Sequence, residues 1–128
     1  MWCVIDECPP FAAIAAGVGE VLGRDLQEKY EQGPFGFGQA DELARVFDAT
    51  DFGGVAVERR TLPIEFEGGP DQLVATLVAA PIAGEVAALD EAGQRALVDA
   101  VARAAEPITH DGAVRSEMAA HVVVAYAP

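Results

Sequence analysis

The stretch GVGEVLG, residues 17–23, decides between two folds for the N-terminal part of the chain. Three glycines in seven residues are typical of a nucleotide-binding loop, in which a strand ends at the first glycine and a helix begins just after the second. Leu22, however, occupies the position where such a loop needs its third glycine. Apolar residues also recur at helical spacing from Phe11 to Leu22, so the sequence predicts an amphipathic helix that ends at Gly23.

The composition is that of a globular chain with a strong negative charge. Its 128 residues are 52% hydrophobic and carry a formal net charge of −13. This length supports one domain with a hydrophobic core, and we predict a single domain over residues 1–128. Because the charge repels phosphates and anionic lipids, neither nucleic acid nor a membrane is expected as a partner.

The expected location is the cytoplasm. No apolar run reaches the ~18 residues that span a bilayer, and the sequence has no basic segment followed by an apolar one, as a secretory signal would have. The two cysteines, Cys3 and Cys8, have no metal-ligand companions nearby, which predicts reduced thiols in a cytoplasmic protein.

Three segments carry strand patterns: WCVID (residues 2–6), VAVERRTLPIEF (55–66) and HVVVAYAP (121–128). In the second segment the apolar positions change parity between Val57 and Leu62, which predicts a bulge or bend before Pro63. In the third segment, residues 122–125 are apolar without alternation, which predicts a strand buried on both faces.

Helical patterns account for most of the remaining chain. Further helices are predicted over residues 24–30, 40–47, 72–80 and 91–105, with a short helical piece ending at Leu89 and Asp90 as the N-cap of the last helix. QGPFGFG (32–38) is predicted to be a loop, and THDG (109–112) a turn.

Candidate site residues follow the first strand and lie in the glycine-rich loop. Asp6 and Glu7 come directly after the strand, where open α/β sheets bind ligands, although the pattern favours the alternative of a solvated turn before two prolines. Phe35 and Phe37 on the loop either line an apolar pocket or pack the loop against the body. We predict that Phe11, Phe35 and Phe37 line an apolar cavity near Asp6 and Glu7, suited to a small apolar ligand.

No pattern identifies a catalytic or metal-binding residue. His110 and His121 lack the spacing of metal ligands, and Ser116 lacks the sequence context of a nucleophile. Neither a metal site nor a catalytic group is therefore predicted.

Taken in order, the segments resemble the C-terminal half of class I S-adenosylmethionine-dependent methyltransferases, the group that acts on small molecules. The phrases that carry the resemblance are WCVID, PPFAAIAAGV (9–18), GPFGFGQADELARVFDATDFGGVAVERRTLPIEF (33–66) and HVVVAYAP. In the family these are the fifth strand, a helix, a Pro-Phe loop with its helix, the sixth strand and the seventh. DATDFGGVAVER (48–59) matches the phrase that leads into the sixth strand, with Thr50-Asp51 where the family usually has Ala-Gly.

The resemblance implies an α/β fold, specifically a partial Rossmann-like methyltransferase fold. Residues 2–6, 120–126 and 54–66 would form a three-stranded mixed sheet with the C-terminal strand in the middle. The family's cofactor elements, an acidic-Gly-x-Gly-x-Gly loop and a ribose-binding acid, lie on earlier strands that this sequence does not contain. The chain alone is therefore expected to bind no S-adenosylmethionine.

Two functions remain open. The chain is either the acceptor-substrate half of such a methyltransferase, inactive without a cofactor-binding half, or a stand-alone small-ligand-binding or protein-interaction module without methyl transfer. In the family the strand that corresponds to Trp2–Asp6 has a neighbour on each side, and here one neighbour is missing. The resulting apolar edge predicts pairing with a second copy in a homodimer, or with a cofactor-binding partner chain.

Overall fold

A small antiparallel sheet and a group of helices form the fold in a computed structural model, which describes residues 1–127. The elements are α1 (Pro9–Leu22), α2 (Arg24–Gln32), α3 (Ala40–Asp48), β1 (Gly53–Phe66), α4 (Gly69–Ala75), α5 (Ala83–Ala87), α6 (Glu91–Ala105), β2 (Thr109–His110) and β3 (Ala113–Tyr126). Three short 3-10 segments cover Ile5–Glu7, Thr76–Ala79 and Glu106–Ile108. Within residues 1–127, no helix combines the length and the apolar character that crossing a membrane requires.

The C-terminal strand lies in the middle of the sheet, as predicted. The strand order is β1-β3-β2, and β3 is antiparallel to both neighbours. The prediction of a mixed sheet was wrong, because a three-stranded sheet centred on a strand that opposes both neighbours contains antiparallel pairs only. The predicted turn at residues 109–112 is confirmed: Asp111 and Gly112 have φ angles of 51° and 81° and join β2 to β3.

The predicted first strand over residues 2–6 is wrong, although its neighbour in the sheet was predicted correctly. Trp2 forms a single antiparallel bridge with Ala120, on the edge of β3 opposite β1. The Cys3 N–H donates to the Ala119 carbonyl at 3.1 Å on one side of this bridge. The third strand of the sheet is instead β2.

The chain leaves this edge immediately after the bridge. The Glu7 N–H donates to the Val4 carbonyl at 2.9 Å, which closes the 3-10 turn Ile5–Glu7. Pro9 and Pro10 follow, and because proline has no N–H to donate, the chain cannot continue the ladder there. The two prolines instead occupy the first two positions of α1, where an N–H would have no helical partner.

No bulge lies between Val57 and Pro63, where the apolar positions of β1 change parity. The register with β3 is regular from Ala56 to Phe66, and the irregularity lies between Gly53 and Ala56. The parity change has another cause. Val55 and Val57 are half-buried on one face, near the start of β1, whereas Ile64 and Phe66 contact the helical core on the other face. The covered face of the strand changes along its length, while its register does not.

The strand segment buried on both faces lies earlier in β3 than predicted. Met118 on one face, and Ala119 and His121 on the other, are buried. Val122 and Val124 share the face of Met118 but are 45% and 46% exposed, because the helices cover only the first half of that face. The prediction of two-sided burial over residues 122–125 was therefore wrong.

The main core lies between α1, α4, α6 and the adjoining end of the sheet. Ile14 and Val18 of α1 are fully buried against Leu97 and Val101 of α6. The predicted helix over GVGEVLG is confirmed, and it ends at Gly23, whose φ of 98° favours glycine.

Predictions for the later helices were correct where a cap was visible. Asp90 caps α6 by accepting a hydrogen bond from the Gly93 N–H at 2.8 Å, and α6 has its predicted bounds. The helix predicted over 72–80 instead starts at Gly69 and continues beyond Ala75 as the 3-10 segment Thr76–Ala79. Ala80 is extended because it precedes Pro81.

Candidate ligand-binding site

Trp2 lies between two concave apolar surfaces. The first, the sheet groove, has a volume of about 590 Å³ and lies over the part of β1 and β3 that the helices leave uncovered. The second, the aromatic cavity, has a volume of about 300 Å³ and lies between α1, α2 and the segment before α5. The sheet groove includes Trp2, Arg60, Leu62, Ile64, Met118 and Val122. The aromatic cavity includes Trp2, Phe11, Tyr30, Pro34, Phe35 and Pro81.

Three aromatic rings from different segments form one wall of the aromatic cavity. Phe11 comes from the first turn of α1, Tyr30 from the last turn of α2, and Phe35 from the glycine-rich loop. The ring centroids of Phe11 and Phe35 are 5.6 Å apart, and those of Tyr30 and Phe35 are 6.5 Å apart, both in tilted geometry. Phe35 therefore lines the cavity and also packs the loop against the body of the protein.

Phe35 is held from behind by the sheet. Its side chain is buried in a cluster with Cys8 and Met118, and Ile64 packs against the same cluster. Met118 and Ile64 also line the sheet groove, so the side chains that pack behind Phe35 border the other concave surface. The position of the Phe35 ring is therefore set by core packing.

Tyr30 places a polar atom in this apolar environment. Its side chain is only 3% exposed and lines the aromatic cavity. Burial raises the pKa of Tyr30, so its hydroxyl stays protonated at neutral pH. No other group within residues 1–127 forms a hydrogen bond with this hydroxyl. The only fully enclosed side-chain atom without a partner in that range is Nδ1 of His121, so the Tyr30 hydroxyl retains access to open space.

The other predicted site residues lie elsewhere. Phe37 is 54% exposed and outside the aromatic cavity. Asp6 borders a separate concave surface of about 330 Å³, between α1 and the residues around Pro107. Glu7 forms an exposed ion pair with Arg59 at 3.0 Å. The structure thus brings Phe11 and Phe35 together and separates them from the two carboxylates and from Phe37.

Trp2 and Tyr30 are the site residues that the sequence did not indicate. Trp2 belonged to the predicted first strand, and Tyr30 was interpreted only as a helical position four residues after Leu26. The one available signal was that Trp2 is the only tryptophan of the chain and lies beside a segment of strand character.

The two cysteines are buried and have unreactive thiols. The Cys8 thiol donates to the Ala119 carbonyl at 3.6 Å, the same carbonyl that accepts the Cys3 N–H. Burial, together with the nearby Glu7, raises the pKa of the Cys3 thiol to about 11, and burial also raises the pKa of Cys8. Both thiols are therefore protonated at neutral pH and are poor nucleophiles.

The remaining side chains supply neither a metal site nor a free charge at the cavity. In the part of the chain that the structure describes, no three His, Cys, Asp or Glu side chains are grouped to hold a metal ion. His121 directs Nε2 to the Gly38 carbonyl at 3.1 Å. Arg60, at the sheet groove, is paired with Glu58 at 2.8 Å. The site is suited to binding an uncharged apolar molecule.

The comparisons with known proteins give no match: no protein-family model, no curated protein and no solved structure is similar to this chain.

Proposed function

We propose that this chain is the acceptor-substrate half of an S-adenosylmethionine-dependent methyltransferase and needs a second chain to hold the cofactor. One observation carries the proposal. The segment Met1–Cys3 lies against β3 on the side opposite β1, and it is antiparallel to β3, as β1 is. This gives the neighbour order N-terminal segment, β3, β1, which is the order of the fifth, seventh and sixth strands that the resemblance implies.

The helices between β1 and β3 support the same proposal. This insertion contains α4, α5 and α6, and α6 packs along α1. Its residues Thr76, Ala79 and Pro81 contribute one side of the aromatic cavity. The insertion therefore covers a small apolar site, as expected of the part of a methyltransferase that selects the acceptor.

The described residues do not fit S-adenosylmethionine itself. Gly17 and Gly19 lie inside α1, where a side chain at Gly17 would collide with Val101 and one at Gly19 with Gln27. A cofactor loop needs such glycines outside a helix, with their backbone N–H groups facing the ligand. In this proposal the chain binds and desolvates the acceptor, and the partner chain holds the methyl donor.

The sheet edge is the proposed contact for that partner. Within residues 1–127, the edge of β3 opposite β1 is occupied by β2 at its start and by Met1–Cys3 near Ala120. Gly38 lies directly against the backbone of Val4, so the loop before α3 covers the end of the predicted edge. The available edge is therefore centred on Trp2 and is shorter than the predicted Trp2–Asp6. The same edge is the proposed contact in a homodimer.

The experiment that tests the proposal is co-expression with a candidate cofactor-binding chain. The candidate is the product of a neighbouring reading frame that encodes an acidic-Gly-x-Gly-x-Gly loop. Binding of radiolabelled S-adenosylmethionine is measured by equilibrium dialysis for each chain and for the mixture. We expect a complex in which the cofactor is bound, and no binding by this chain alone up to about 1 mM, where a site of roughly −4 kcal/mol would be detected. Saturable micromolar binding by this chain alone, or failure of the two chains to associate, would contradict the proposal.

The second candidate function is a stand-alone small-ligand-binding module without methyl transfer. It is favoured by the aromatic cavity, which residues of this chain form without any contribution from a partner. The dialysis experiment separates the two functions, because with a stand-alone module no mixture of the two chains gains cofactor binding.

A further inference from the structure

We propose that the aromatic cavity binds a flat, uncharged aromatic molecule that carries one hydroxyl or carbonyl oxygen, and that this oxygen forms a hydrogen bond with Tyr30. The inference rests on the proposed function for the ligand's role as the acceptor. Binding itself can be measured on this chain alone, so the two proposals can fail separately.

The size and walls of the cavity favour a flat ring. Its volume of about 300 Å³ lies at the lower end of the range of ~300–1,000 Å³ for small-molecule sites. The side chains of Trp2, Phe11 and Phe35 present rigid ring faces and edges, and Pro34 and Pro81 add further rigid surfaces. Aromatic pairs in offset or edge-to-face geometry gain attraction beyond the area they bury. A flat aromatic ligand makes such contacts with several walls at once.

The charge of the ligand follows from the polar groups at the cavity. None of the residues that line it carries a carboxylate, ammonium or guanidinium group. Burying an unpaired charge in such surroundings is far more costly than burying a neutral polar group. The ligand that fits this site is therefore uncharged.

Tyr30 determines where the ligand carries its polar atom. The other hydroxyl at the cavity, on half-buried Thr76, already donates to the Leu73 carbonyl at 2.6 Å. Tyr30 has no such partner within residues 1–127. A ligand that fills the cavity displaces solvent from this hydroxyl and would leave it unpaired, so a ligand oxygen that pairs with it is preferred over an apolar atom at the same place.

The test compares two probes that differ in one hydroxyl, 2-naphthol and naphthalene. Each is titrated by isothermal calorimetry, with the protein as the titrant because both probes are sparingly soluble. We expect 2-naphthol to bind the wild-type chain more tightly than naphthalene. Tyr30→Phe keeps the ring and removes the hydroxyl, and it should weaken 2-naphthol binding by about three- to tenfold, as expected for one hydrogen bond. It should leave naphthalene binding unchanged or slightly stronger.

Matched variants separate this effect from a change in the fold. Tyr126→Phe removes the hydroxyl of the only other tyrosine, which lies on β3 outside the aromatic cavity, and should change neither affinity. Trp2→Ala removes a wall and should weaken the binding of both probes. The inference is overturned if 2-naphthol does not bind, if Tyr30→Phe weakens both probes equally, or if Tyr126→Phe has the same effect as Tyr30→Phe. None of these outcomes affects cofactor binding by a two-chain complex.

Discussion

Replacing Gly17 with alanine should destabilise the protein, because α1 and α6 are in contact at this position. A Cβ atom built on Gly17 lies 2.5 Å from Cγ2 and 3.0 Å from the backbone nitrogen of Val101. Non-bonded carbon atoms prefer separations of about 3.5–4.0 Å, so the two helices must move apart by about 1 Å. Overpacking of this kind costs ~1–3 kcal/mol. Replacing glycine by alanine within a helix recovers ~1 kcal/mol. The expected net loss in the free energy of unfolding is about 1 kcal/mol.

Gly84→Ala in α5 is the matched control, because nothing lies within 4 Å of a Cβ atom built there. It gains helix propensity without a collision and should stabilise the protein by up to ~1 kcal/mol. The two variants should therefore differ by about 2 kcal/mol in urea denaturation followed by circular dichroism. If Gly17→Ala is as stable as Gly84→Ala, the helices are not in close contact at Gly17, and the glycines of GVGEVLG need another explanation.

Three further predictions follow from the caps, the thiols and the sheet edge. Asp90→Ala should lower the free energy of unfolding by ~1 kcal/mol in urea denaturation, because α6 loses its N-cap, whereas Asp90→Asn should retain most of that stability. Stability should fall as the pH rises from 9 to 11, because the unfolded chain releases the Cys3 proton near its ordinary pKa of 9.0 and the folded protein keeps it to about 11. Cys3→Ala should flatten this part of the measured stability profile, and an unchanged profile would contradict the assignment. Trp2→Lys, at the centre of the available edge, should abolish association through the sheet edge in light scattering, and a complex that persists in this variant would show that the partner binds elsewhere.

The helices were predictable where their end signals act within one turn. Asp90 marks the start of α6 through its side chain, and Gly23 marks the end of α1 through its backbone conformation. Both helices have the predicted boundary at these residues. The errors in the sheet arose from tertiary packing. The parity change in β1 reflects which face the helices cover at each point, and no local signal around Pro63 carries that information. The same applies to Val122, which is as apolar as a buried strand residue but lies beyond the helices.

The aromatic cavity was only partly predictable, because its walls are far apart in the sequence. Phe11 and Phe35 could be proposed from an apolar helix face and an aromatic residue on a glycine-rich loop. Trp2 and Tyr30 join them only because Trp2 is held on the edge of β3 and α2 folds back along α1. Glu7 was predicted beside the cavity because it is close to Phe11 in the sequence, but its side chain instead pairs with Arg59.

The place of β3 in the chain constrains how the protein folds during synthesis. In the described part of the chain, β1, β2 and the segment Met1–Cys3 all pair with β3, and all of them precede it. A ribosome that has just released α6 has therefore produced the helices and an unpaired β1, but no sheet. The contact between Trp2 and Ala120 joins residues at nearly opposite ends of the sequence, and such contacts form late because a long loop must close first. The hydrophobic residues of β1 and Trp2 thus stay uncovered until β3 leaves the ribosome, and this nascent chain is the form of the protein most exposed to aggregation and to capture by chaperones.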